Sequence, residues 1–248
     1  MLAFLAASLL ALSSSASAPA AASASPAAPA PQAAAPAPAA GQPLRQVVYN
    51  VSQGSRTYSG GEHYEGYSSN STSTADRGTV NVAVLSVVNN VLQVSVTETM
   101  INIGRPATYD GSVLPDGAVN FPPETITDVT RQILEYFASD IEPKDKTVLG
   151  STWDVGLNRN GVDLATHYKV TKVDGDLVTL AVNQTVKIAA QNVTVALDGT
   201  IVMKPSLLVP VSGDLHRTLR RLTTTGDTTT VSSYIFQRVS DTLDSAAH

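Results

Sequence analysis

The sequence contains no cysteine. That removes disulfides, thiolate nucleophiles, zinc–thiolate sites and the diacylglyceryl-cysteine anchor of a bacterial lipoprotein. Histidine is almost as scarce: 4 residues scattered through 248 leave the common nucleophilic and zinc mechanisms short of parts. No Gly-x-Ser-x-Gly, His-Glu-x-x-His, P-loop or dinucleotide fingerprint occurs, so no cofactor and no bound metal is expected. Net charge is −5, spread without long runs, whereas a nucleic-acid surface needs clustered positive charge. Aromatic residues are only 5% of the chain, so apolar positions are filled mostly by small side chains, above all valine.

No Asp, Glu, Lys or Arg precedes Arg45. The apolar run "MLAFLAASLLAL" at 1–12 is too short to span a membrane. Small residues follow it, which is the pattern of a secretory signal over 1–20, with cleavage near 20–24. Residues 21–43 are dominated by Ala and Pro, cannot bury a core, and read as a disordered linker. The expected organisation is then one β-rich domain over 44–240 and a tail over 241–248. An exported domain without disulfides suits a bacterial periplasm or exterior better than a eukaryotic secretory route.

Within 44–240, alternation with a period of two dominates. Val80, Val82, Val84 and Val88 fall on one face of "TVNVAVLSVV", and Leu92, Val94, Val96 and Met100 on one face of "LQVSVTETM". Val178, Leu180, Val182, Val186 and Ile188 repeat the pattern, as do Val193, Val195, Leu197, Ile201 and Met203. A strand sends alternate side chains to opposite faces, so each of these strands has an apolar and a polar side. Sheets with one wet face are typically antiparallel. Turn signals at Asn89-Asn90, Asp174-Gly175 and Gly226-Asp227 join consecutive strands, and Asn160-Gly161 fits a further hairpin.

One stretch breaks the period. Ile126, Val129, Ile133, Leu134 and Phe137 recur at helical spacing, with acids Glu124 and Asp128 early, and this predicts an amphipathic helix over about 124–138. The preceding "GRPATYDGSVLPDGAVNF" is Gly- and Pro-rich and reads as a long loop of the kind that often carries function. Roughly eight to ten one-sided strands and a single helix pose a packing problem, because large bare apolar faces are rare on soluble monomers. The expected fold is a mainly β, long-stranded antiparallel meander curled into a half-barrel or barrel around the helix. Val82, Val84, Val94, Val96, Val182, Val195, Ile133 and Phe137 would line an interior open to an apolar or amphipathic ligand such as a lipid.

Over residues 45–240 this architecture resembles the half-barrel carriers of the bacterial envelope, of the lipoprotein-carrier and lipoprotein-binding type. The resemblance implies a curved antiparallel sheet that wraps short helices and holds acyl chains. "VLGSTWDV", Val148 to Val155, is also similar to a Gly-x-x-Trp strand opening in uncharacterised exported β-rich bacterial proteins. Neither likeness assigns a role to any single residue.

Two polar clusters stand out. "SGGEHYEGY" places His63 and Glu65 on one face of an extended chain, an acid–base pair if a reacting partner lies opposite, and a solvated strand and loop otherwise. "HRTLRRL" holds Arg217 and Arg220, which guard a strand edge or receive an anionic head group. On a strand, Arg217 and Arg221 take one side while His216 and Arg220 take the other. The reading that follows is a noncatalytic exported envelope protein that binds an apolar or amphipathic ligand. Two others stand beside it: a structural or adhesive module that meets a cell-envelope component, and a hydrolase that uses paired carboxylates.

Overall fold

The period-two segments form strands, and they pair in a single open antiparallel sheet. The structure, a computed structural model, describes residues 42–59, 70–122, 125–138, 148–159, 162–205, 209–223 and 226–243. Among these, eleven strands run in sequence order: β1 (Arg45–Ser59), β2 (Asn70–Val88), β3 (Val91–Met100), β4 (Ala107–Val113), β5 (Val119–Asn120), β6 (Thr152–Arg159), β7 (Val162–Asp174), β8 (Leu177–Ile188), β9 (Val193–Lys204), β10 (Val209–Thr223) and β11 (Gly226–Asp241). One helix, α1 (Asp128–Glu135), falls between β5 and β6. The strand order is β5-β4-β3-β2-β1-β11-β10-β9-β8-β7-β6. Two meanders therefore meet at a seam where the first strand pairs with the last.

Both sides of that seam are fixed by charge. Asp241 is buried, and its carboxylate accepts from Arg45 Nε and Arg238 Nη1, each at 3.0 Å. Burial opposes its ionisation, but the hydrogen bonds from Arg45 and the Leu243 N–H, with the two guanidinium charges, outweigh it. The carboxyl is held below the usual aspartate range. Nearby, the Tyr49 hydroxyl donates to Pro210 O at 2.9 Å, and its ring meets Phe236 edge-on at 6.0 Å. The Phe236 ring in turn lies over Gly213, where an added Cβ would come within 2.3 Å of it.

Asn89 and Asn90 both have positive φ, as a two-residue hairpin turn requires, and Gly175 likewise. Gly226 instead pairs with Thr223 as part of β11, and residues 224–225 lie outside the described residues. The turn at 160–161 also lies outside them. A register shift between Val84 and Ser86 inverts the phase of β2, leaving Val88 55% exposed instead of in line with Val84. The stretch expected to be a long loop carries β4 and β5, whose hairpin folds Phe121 over Gly111. Strand pairing needs only a few residues, and the Gly and Pro content there marks the turn before β4 and the turn between β4 and β5.

Helix α1 is shorter than the expected 124–138, at 8 residues. Thr127 adopts an extended conformation as the N-cap, and Tyr136 leaves helical geometry at the other end. Val129, Ile133 and Leu134 are buried against the sheet. A helix this short is not stable alone. Its N-terminus is held by Glu98, which is 0% exposed and accepts from Thr127 N at 2.9 Å and Thr127 Oγ1 at 2.7 Å. Gln53 Oε1 accepts from Val129 N at 3.3 Å. No helix among the described residues is long and apolar enough to cross a membrane.

Replacing Glu98 by Ala strips the cap donors of their acceptor in a dry site. We expect a loss of about 2–3 kcal/mol in urea unfolding. Breaking the seam by Asp241→Asn should cost about 3 kcal/mol at neutral pH. Because the Asp241 pKa is depressed on folding, its contribution is present above the unfolded value and is lost as pH falls through the lower folded one. The acid limb of a stability–pH profile should therefore flatten in the variant.

Candidate functional site

Register assigns every inward side chain to a row that crosses the sheet. One row reads Val170, Leu180, Ile201, Gly213, Phe236, Val51, Gly78 and Met100. It is apolar throughout and belongs to the core. Val82, Val84, Val94, Val96, Val182, Ile133 and Phe137, expected to line an interior space, are also core residues. Helix α1, Phe121, Tyr136 and the Tyr49–Phe236 pair pack there, and none of the seven lines either cavity described below. Val195 is different: it lies farther along β9 and is half-buried.

Beyond the helix the rows change character. The row through Val195 reads Leu164, Val186, Val195, Leu219, Thr230, Thr57 and Thr72. Its β7–β10 members are aliphatic and half-buried, and its β11–β2 members are all threonine. The row nearer the helix reads Thr166, Gln184, Leu197, Arg217, Ser232, Ser55 and Thr74. The outer row is thus aliphatic on one half and threonine on the other, whereas the row nearer the helix carries Thr166 and Gln184 on the first half and Ser and Thr on the second.

A cavity opens in each half. The first, of about 230 Å³, lies between the apolar half and α1. Val155, Leu164, Val186 and Tyr168 form its walls, the β4–β5 turn at Asp116–Val119 closes one side, and Arg131, Glu135 and Tyr136 come from the helix. Trp153 stacks on Tyr168 with ring centroids 5.1 Å apart, which accounts for the lone tryptophan as packing behind the cavity wall. Burial pushes the Tyr136 and Tyr168 phenols well above their ordinary value, so both remain hydrogen-bond donors. Arg131 Nη1 donates to Val119 O at 3.2 Å, which ties the helix to the edge strand.

Glu135 keeps part of its surface toward this cavity, yet its carboxyl is removed from bulk water. Desolvation raises its pKa to about 7, against the opposing charges of Arg131 and Arg217 and with a small push from Asp128. Gln132 Nε2 lies 3.4 Å from both carboxyl oxygens. Near neutral pH the group is therefore poised between an acid that donates and an anion that repels.

The second cavity, of about 210 Å³, lies at the other end of the helix. Gln53, Ser55, Thr74, Asp76, Asn102, Asp128, Ser232 and Tyr234 line it. Arg217 lies beside it, with Nη2 donating to Asp128 Oδ2 at 2.6 Å and the guanidinium 5.2 Å above the Tyr234 ring. Arg217 and Arg220 do not act together, because alternation on β10 puts Arg220 on the convex face, where it is exposed. His63 and Glu65 lie outside the described residues. Reading the sequence alone missed Glu98 and Glu135. Glu98 is in phase with Val94, Val96 and Met100, so a carboxylate on an apolar strand face was the available signal.

No family model matches the chain, and no curated protein matches it. Among solved structures the chain is similar to lipovitellin, in a structure concerned with lipid–protein interactions, with a TM-score of 0.46 and 11% identity. The match covers 81% of this chain and 25% of that one. A similarity of this size assigns no function.

The Glu135 pKa rises from 4.5 to about 7 on folding. Its favourable contribution is therefore complete below the unfolded value and is lost as pH climbs through the folded one. Glu135→Gln should leave stability at pH 4 nearly unchanged. At pH 8 it should raise stability by about 2 kcal/mol, discounted for partial solvent contact. Urea midpoints measured across that range check both the sign and the window.

Proposed function

We propose that this chain is a noncatalytic, exported envelope protein that holds an amphipathic ligand on the concave face of its sheet. The observation that carries the reading is the cavity of about 230 Å³ at the apolar half, with half-buried Leu164 and Val186 on its wall and Arg131 and Glu135 at its helix side. Aliphatic side chains left half-covered in a concavity are stabilised when hydrocarbon replaces water there, by roughly 25 cal/mol for each Å² removed. A few polar groups set at one side of an apolar pocket are what orient an amphiphile. The ligand site is thus displaced from the helix-covered valines to the uncovered rows of β7–β10, where Val195 continues the aliphatic ladder beside Val186.

Export is part of the same proposal and rests on the apolar run at 1–12, the small residues after it and the absence of cysteine. The convex face is mostly polar, with Val231 and Ile235 of β11 exposed among its polar side chains. The His167–Asp154 pair at 2.8 Å sits there, exposed, as a surface contact and not as part of a reacting site.

Trp153 lies behind the cavity wall and is the chain's 1 tryptophan, so its emission reports occupancy. Titration with 1-decanol below its solubility limit should shift that emission saturably. Val186→Phe fills the cavity from a half-exposed position. It should weaken binding at least tenfold while changing stability by less than about 1 kcal/mol. Purified protein that carries no lipid in native mass spectrometry and shows no saturable response to the alcohol rules the reading out.

A further inference from the structure

The second cavity is too polar to hold hydrocarbon, yet it occupies the same two rows of the sheet as the first. Ser232, Ser55 and Thr74 come from one row, and Tyr234, Gln53 and Asp76 from the next. The corresponding places in the first cavity are Thr166, Gln184 and Tyr168. Strands lie about 4.8 Å apart, so β8 and β11 are separated by about 14 Å along the sheet. A ligand that occupies both cavities has to be at least that long, and the half-buried outer row of Val186, Val195, Leu219 and Thr230 is the surface that joins them.

We propose that the polar cavity is a sugar subsite, and that the ligand of the concave face is a glycolipid whose hydrocarbon lies on β7–β10 and whose glycosyl head is held on β11, β1 and β2. The inference rests on the apolar half being a ligand site. A sugar hydroxyl both donates and accepts, and the Ser, Thr, Gln and Asp side chains gathered here supply partners of both kinds. The volume of about 210 Å³ equals roughly seven waters at about 30 Å³ each, which is close to the displacement of one sugar ring. Charge selects among head groups. Asp76 and Asp128 border the cavity, and the Arg217 beside it is already engaged by Asp128. A phosphate meets carboxylates there, whereas a neutral glycosyl head meets acceptors. Thr57, Thr72 and Thr230 continue the hydroxyl surface past the cavity, which extends the polar contact in a way a small cationic head does not use.

The test uses the full chain and three probes with the same ten-carbon tail, each below its micelle-forming or solubility limit: decyl β-D-glucoside, 1-decanol and decylphosphocholine. Affinities come from Trp153 emission and calorimetry. The glucoside should bind at least tenfold tighter than the other two. Ser55 and Thr74 are hydrogen-bonded to each other at 2.8 Å on the exposed surface, so removing both hydroxyls does not threaten the fold. The Ser55→Ala, Thr74→Val double variant should lose the glucoside advantage and keep decanol affinity within twofold, with an unchanged circular dichroism spectrum. Equal binding of glucoside and decanol, or a preference that survives in the double variant, overturns the sugar subsite and leaves the apolar groove standing. A preference for phosphocholine overturns it in favour of a charged-head site. If none of the three probes binds, the apolar groove falls and the subsite falls with it.

Discussion

The fold is governed by a mismatch of area. Ten strand spacings separate β5 from β6, about 48 Å of sheet measured across the strands. The one helix laid against the inner face has 8 residues, about 12 Å of length. A flat sheet with so small a cover would leave most of its valines in water. Curvature brings the two halves of the inner face toward the same helix, and aromatic side chains from the segments flanking it fill what the helix does not. The core extends as far as that filling reaches. Past it, the inner face continues for further rows, because the strands are longer than the covered zone.

Such a small element has to be held in place by more than its apolar contacts. Val129, Ile133 and Leu134 supply the contact area, but the polar groups below them set position and direction. Glu98 takes the Thr127 N–H and hydroxyl, Gln53 takes the Val129 N–H, and Arg131 reaches the backbone of β5. A carboxylate at a helix N-terminus also meets the positive end of its dipole. These contacts span β3, β1 and β5, so the helix is tied to the first meander, and it presents Arg131, Glu135 and Tyr136 toward β6–β8 of the second. The second meander holds the helix at its N-terminal end, where Arg217 and Tyr234 reach Asp128, and the cavity beside Glu135 opens at the other end.

Much of the architecture was legible because a period of two is a local property. Val94 and Val96, or Leu180 and Val182, declare their face within a few residues, and Asn89-Asn90 declares its turn. The failures have equally physical reasons. A bulge at Val84/Ser86 shifts the phase by one residue and leaves no mark in composition. The β4–β5 hairpin has too few residues for a pattern, and its glycines and prolines advertise a loop. Arg45 and Asp241 are 196 positions apart, and no local rule pairs them. The candidate lining residues were chosen for apolarity alone. Apolarity marks the inner face, but whether a given row is covered by the helix depends on register, which the sequence does not state.

Register is also what divides the concave face. Leu164, Val186, Val195 and Leu219 are ordinary alternating residues of four separate strands, and Thr230, Thr57 and Thr72 of three others. The aliphatic ladder passes to Thr230 within the β10–β11 hairpin, and it is continued by Thr57 and Thr72 because β1 joins β11 and places the Ser/Thr ends of β1 and β2 beside it. Were the two meanders to pair through β5 and β6 instead, Thr57 and Thr72 would lie on the far side of the small β5 edge from Leu164. The Leu219–Thr230 boundary itself is set within the β10–β11 hairpin, beside Arg217, whose guanidinium lies between Asp128 and the Tyr234 ring. The β1–β11 seam is therefore the contact that carries the hydroxyl surface from Thr230 onto the first meander along a single row. A change at Asp241 or Arg45 acts on that face through strand order, at a distance from either cavity.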